Sequence, residues 1–84
     1  MNPKVKKYLN EETISDEELN LIMQINKIRI ENKITQQELA KRTGISQPNI
    51  ARFEKNTHSS SLRTTIKILA SLGYKLKIEK IKTP

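Results

Sequence analysis

The stretch QQELAKRTGISQPNIARFEK, residues 36–55, constrains this chain more than any other. Two apolar groups at helical spacing, Leu39–Ala40 and Ile50–Phe53, flank a turn at Gly44–Ile45. Two helices that cross steeply need a small residue where they touch, and Ala40 supplies it. The tight turn between them needs a residue that tolerates φ > 0, and Gly44 supplies that. Leu39, Ile45, Ile50 and Phe53 then converge on one core. Thr35 with Glu38 reads as a capping box that starts the first helix. Ser46 is placed to cap the second, and Pro48 falls in its first turn, where a missing N–H does no harm. A random amphipathic helix pair would meet one or two of these constraints. Meeting all of them points to a helix-turn-helix, with Gln47, Asn49 and Arg52 left outward as side chains suited to base edges and phosphates.

Charge agrees with a polyanionic partner. The 84 residues carry 16 Lys and Arg against 9 Asp and Glu, a formal net charge of +7. Aromatics are limited to Tyr8, Phe53 and Tyr74. That is too few for a stacking platform on single strands, so duplex DNA is the expected partner. With no Cys there is neither a disulfide framework nor a thiolate metal site. His58 is a lone loop histidine without a second ligand, so no metal and no cofactor is expected. No Gly-rich phosphate loop and no nucleophile–base pair is apparent, so the chain does not read as an enzyme. No apolar run reaches the length of a membrane span, and a cytoplasmic location without membrane contact is expected.

Around the motif the reading is all-α, with two extensions. Residues 1–14 form an N-terminal extension, either a short helix or an arm, with Val5, Tyr8 and Leu9 as possible anchors. Residues 15–73 form the DNA-binding domain. Ser15 with Glu18 reads as a second capping box opening a helix over 16–32, with Asp16, Glu17 and Glu18 suited to its positive end. Ser61 is placed to cap a last helix over 62–72, with Gly73 just beyond its end. Residues 74–84 form a tail in which Tyr74, Leu76 and Ile78 alternate with charged residues. A period of two predicts a strand with one buried face. A lone strand needs a partner, and pairing with the same strand of a second chain is the simplest source, giving a homodimer.

The long helix carries more apolar surface than a small core needs. Leu21, Ile25 and Ile28 form one stripe, expected to pack on the helix pair. Leu19, Ile22, Met23 and Ile30 form a second. The second stripe is covered either by the N-terminal segment or by a protein partner.

Residues 19–73 resemble the Cro/C1-type (XRE) helix-turn-helix domain of bacterial and phage repressors. The resemblance runs through Arg29, TQQELAKRTGISQPNIARFE and SLRTTIKILASLG. It implies a compact bundle of about five short helices, and a structural ion pair between Arg29 and Glu54. Asn56 stands where the family commonly has Gly after the recognition helix, and Asn tolerates the left-handed region. Thr65 stands where the family carries Leu. The whole chain is similar in layout to HigA-like antitoxins of type II toxin–antitoxin modules, through its N-terminal extension and the terminal LGYKLKIE. That resemblance implies a small basic ribonuclease toxin of the RelE/HigB type as partner, and repression of the chain's own operon.

By analogy with the family, Gln47 begins the recognition helix and Arg52 lies further along its outer face. Both are candidates for base contact, and each could instead hold a phosphate. Pro48 adds an apolar contact to a thymine methyl. Gln36, Asn49, Lys55 and Arg63 fit phosphate anchoring. The toxin is expected on Glu11, Glu12 and Glu17 together with Leu19, Ile22, Met23 and Ile30, an apolar stripe beside an acidic run. The same residues are compatible with a stand-alone phage or mobile-element repressor that has operator DNA as its partner and no toxin.

Overall fold

Each helix of the computed structural model, which describes residues 1–82, begins at a side chain able to accept from its own first turn. Asn2 caps α1 (Pro3–Tyr8) and Asn10 caps α2 (Glu11–Glu31). Thr35 caps α3 (Gln36–Thr43), Ser46 caps α4 (Gln47–Lys55) and Ser61 caps α5 (Leu62–Ser71). Such caps satisfy donors that no intrahelical carbonyl can reach. At Thr35 only half of the capping box forms. Thr35 Oγ1 accepts the Glu38 N–H at 3.0 Å, while the Glu38 carboxylate turns to Arg42 at 3.4 Å.

The helix ends follow backbone chemistry as closely. Gly44 closes α3 at φ 75°, and Asn56 closes α4 at φ 52°. After α5 the Gly73 N–H donates to the Ala70 carbonyl and the Tyr74 N–H to the Leu69 carbonyl, with Gly73 at φ 89°. That pair of bonds is a Schellman motif. Lys33 makes the same motif after α2 at φ 56°, through Lys33 N–H to Ile30 and Ile34 N–H to Arg29. A side chain with a Cβ is disfavoured there by roughly 1–2 kcal/mol.

The core draws on four of the helices. Ile22 and Ile25 of α2 meet Leu39 of α3, Ile50 and Phe53 of α4, and Ile68 and Leu69 of α5. Leu21, Ile34, Ala40, Ile45 and Leu72 pack against this cluster from its margin. Thr65 is buried among them, and its hydroxyl donates to the Ser61 carbonyl at 3.2 Å, so the polar atom is satisfied locally.

Four sequence expectations are corrected. First, α2 starts at Glu11, not at residue 16, and runs through the expected boundary at 14/15. Asn10 wins as the cap because its Oδ1 takes the Glu12 N–H at 2.8 Å, which leaves Ser15 inside the helix. Glu11 and Glu12, rather than Asp16 to Glu18, therefore occupy the positive end of the helix dipole. Second, Ile22 belongs to the core and not to the spare stripe. It lies three residues before Ile25, on the same helix face, and is 4% exposed. Third, no strand forms over 74–82: the N-terminal helix lies near the end of the tail, but no described backbone pairs with residues 75–82 to make a ladder. Fourth, Tyr74, Leu76 and Ile78 do not make one buried face: they are 51%, 40% and 99% exposed. The expected tail ends in Thr83 and Pro84, which lie outside the described residues. Among the described residues no helix is long and apolar enough to cross a membrane.

Candidate nucleic-acid interface

The geometry of α4 follows from which of its residues the core takes. Ile50 and Phe53, three apart, are buried. That fixes the rotation of the helix and turns Gln47, Pro48, Asn49, Arg52 and Lys55 to solvent. Arg52 follows Asn49 by three residues and Pro48 by four, so these side chains are neighbours on the outer face. None of Gln47, Arg52 or Lys55 is tied to another side chain of the described residues by a hydrogen bond or ion pair. The outer face of α4 therefore offers amide and guanidinium donors that are free to engage a ligand.

The opposite edge of α4 is locked. Glu54 accepts Arg29 Nε at 2.6 Å on one carboxylate oxygen and Arg29 Nη2 at 2.9 Å on the other. The side chains of this pair are only 14% and 10% exposed. Arg29 spends a further donor on the Ile34 carbonyl at 2.7 Å, and Asn26 Nδ2 reaches the Glu54 carbonyl at 3.2 Å. One guanidinium thus joins α2, the α2–α3 loop and the end of α4. Gln36 enters the same cluster. Its Nε2 donates to Glu54 Oε1 at 2.9 Å, so at least one of its two amide hydrogens points at a carboxylate. Arg63 stands exposed in the first turn of α5.

A shallow groove runs beside α4, lined by Ser46, Asn49 and Arg52 on one side and by His58, Ser59 and Thr64 on the other. The second set was not singled out from the sequence as a binding feature. The available signal is the polar run Asn56–Ser60 directly after the recognition helix, since polar loops beside a binding helix often supply backbone contacts. Ser59 Oγ donates to Glu18 Oε2 at 2.5 Å, which ties this loop to α2.

The residues assigned to a protein partner separate into groups. Leu19, Met23 and Ile30 are 44%, 58% and 62% exposed along α2, and α1 does not cover them. Ile22 has left the stripe for the core. Glu11 and Glu12 stand exposed in the first turn of α2. Glu17 lines an open crevice with Lys4, Lys7, Tyr8, Glu79 and Lys82, so cations from both ends of the chain surround part of the acidic run. Lys4 Nζ also donates to the Lys82 carbonyl at 3.1 Å, which brings the two terminal segments together.

A family model described as helix-turn-helix matches residues 25–78, which takes in the last third of α2, all of α3, α4 and α5, and the start of the tail. The chain belongs to this helix-turn-helix family. It is 51% identical over 45 residues to Antitoxin HipB of Escherichia coli strain CFT073, covering 54% of this chain and 48% of that protein. It is 39% identical over 71 residues to an uncharacterised HTH-type transcriptional regulator of Haemophilus influenzae, covering 82% of this chain and 72% of that one. Among solved structures it is similar to a chain of a toxin–antitoxin module from Streptococcus pneumoniae, with a TM-score of 0.71 and 34% identity, covering 98% and 94% of the two chains. The region matched spans about half the length of the HipB relatives. Two of these relatives are named as antitoxins and one as a transcriptional regulator, and the chain stands with them as a non-enzymatic protein.

Proposed function

We propose that this chain is a sequence-specific, duplex-DNA-binding repressor that serves as the antitoxin of a type II toxin–antitoxin operon. The observation that carries the DNA reading is the split of α4. Ile50 and Phe53 hold it in the bundle while Gln47, Pro48, Asn49, Arg52 and Lys55 stand outward. In this reading Gln47, Pro48 and Arg52 meet base edges, and Asn49, Lys55, Arg63 and Gln36 hold phosphates. Arg52→Ala should weaken operator binding by roughly 1–3 kcal/mol and relax preference at one base pair. Equal weakening on every sequence would make Arg52 a phosphate contact instead.

The chain acts as a homodimer in this reading, because two recognition helices about 34 Å apart read successive major grooves of a palindrome. The exposed row of Tyr74, Leu76 and Ile78 supports a second copy on the tail, since an uncovered apolar alternation suits pairing across a two-fold axis. In this reading the chain works in the cytoplasm, where its operator DNA lies.

Toxin binding is supported by the relatives, of which two are named as antitoxins and one comes from a toxin–antitoxin module. The HigA-like layout, with a helical extension ahead of the bundle, points to a small basic ribonuclease of the RelE/HigB type, and to repression of the chain's own operon. Leu19, Met23 and Ile30 would form the apolar centre of that contact and Glu11, Glu12 and Glu17 its rim. Reversing the three glutamates to lysine should weaken toxin capture and leave operator binding intact. Full toxin affinity in the triple variant would remove this surface. The second reading, a stand-alone repressor, draws on the similarity to the Haemophilus influenzae regulator. Growth arrest on expressing the neighbouring gene alone separates the two: arrest supports the antitoxin, and its absence supports the repressor.

A further inference from the structure

We propose that Glu54 is a positioning residue for the DNA backbone, acting through Gln36; the inference rests on the DNA-binding reading above. Glu54 is an acceptor fixed in place. Arg29 grips both of its carboxylate oxygens, at 2.6 and 2.9 Å, and the pair is largely buried. The neighbouring guanidinium cancels the carboxylate charge, so Glu54 can stand near a phosphate without repelling it. Gln36, the first residue of α3, donates Nε2 to this fixed oxygen at 2.9 Å. A glutamine amide carries two N–H groups. One is taken by Glu54, and the other has no partner among the described residues. Gln36 is half-buried, so its amide still meets solvent. An unanchored glutamine has to give up rotamer freedom to grip a phosphate, and Glu54 has already removed that freedom. The ion pair thereby has two duties: it closes the bundle, and it presets the one polar side chain that joins the start of α3 to the end of the recognition helix.

The test is a double-mutant cycle on binding of a fixed mixed-sequence duplex, with Gln36→Met and Glu54→Asp, each protein's folded fraction being taken from its own melting curve. Aspartate keeps the charge beside Arg29 but withdraws the acceptor from Gln36. Gln36→Met should weaken binding roughly tenfold, as for loss of a hydrogen bond to a charged acceptor. Glu54→Asp should weaken it by a similar factor, and the double variant should be no weaker than Gln36→Met alone. Losses that multiply, or full affinity in Gln36→Met, would overturn the inference. A measurement on the wild type needs no Glu54 variant. The two side-chain amide proton signals of Gln36 should be resolved from those of Gln37, and the duplex should shift mainly the one not bonded to Glu54. Coincident Gln36 and Gln37 signals that the duplex leaves unmoved would also overturn it. A wild type that binds no duplex would sink the DNA reading itself, whereas multiplying losses in a wild type that binds would sink this inference alone.

Discussion

Glu54→Ala is expected to destabilise the fold by about 3–5 kcal/mol, the usual consequence of stranding one member of a buried ion pair. The variant leaves Arg29, whose side chain is 14% exposed, with only the Ile34 carbonyl as an acceptor. Gln36 loses its partner in the same stroke. For a domain of this size each kcal/mol moves the melting temperature by roughly 4–8 °C, so a fall of at least about 12 °C should appear in a thermal melt. Replacing both Arg29 and Glu54 by apolar residues of similar volume should recover much of that loss, because no charge is then left buried. A Glu54→Ala protein that melts with the wild type would mean that the pair contributes nothing to holding α2 against α4.

Phe53→Ala is the second large effect. Phe53 is the buried aromatic of the described core, 3% exposed, and with Ile50 it anchors the recognition helix. Truncating it removes apolar contact and leaves a cavity that a small bundle cannot close, which costs about 3–5 kcal/mol. Domains have only about 5–15 kcal/mol of net stability, so a large unfolded fraction is expected at growth temperature. DNA binding should fall with the folded fraction, although Phe53 faces away from the outer side of α4. Leu62→Ser is the matched control. Leu62 is 66% exposed, and its replacement should leave the melting unchanged. A fully folded Phe53→Ala protein in urea titration would show that the core does not fix the rotation of α4.

The parts that were legible in the sequence are those governed by local chemistry. Gly44, Asn56 and Gly73 are residues that accept positive φ, and all three adopt it at a helix end. Thr35, Ser46 and Ser61 each make their capping bond. The start of α2 is a case in which two local signals compete. Ser15–Glu18 and Asn10 are both plausible caps, and helix propagation from the earlier one absorbs the later. Ile22 shows the limit of stripe counting. It is three residues from Leu19 and also three from Ile25, so spacing alone places it on either face, and the neighbouring helices decide. The tail fails for another reason. Alternation describes what a strand would bury, but a ladder needs a second backbone, and one chain does not provide it.

The site divides in the same way. The outward set on α4 follows from the buried set by helical period. The bond from Gln36 to Glu54 joins residues 18 apart, on different helices, and no periodicity announces it. The same holds for Ser59 and Glu18, 41 residues apart. Long-range polar contacts of this kind depend on how the helices cross, and become visible only once α2, α3 and α4 are assembled.

The central claim is that α4 reads duplex DNA as one half of a symmetric pair. Its most direct test is selection of bound duplexes from a random pool by the intact chain, repeated with Arg52→Ala. The wild type should enrich a palindrome whose half-sites lie about 34 Å apart, one helical turn, and Arg52→Ala should lose discrimination at one position in each half-site. A wild type that enriches no sequence, or an Arg52→Ala protein that selects the same palindrome with undiminished preference, would contradict it.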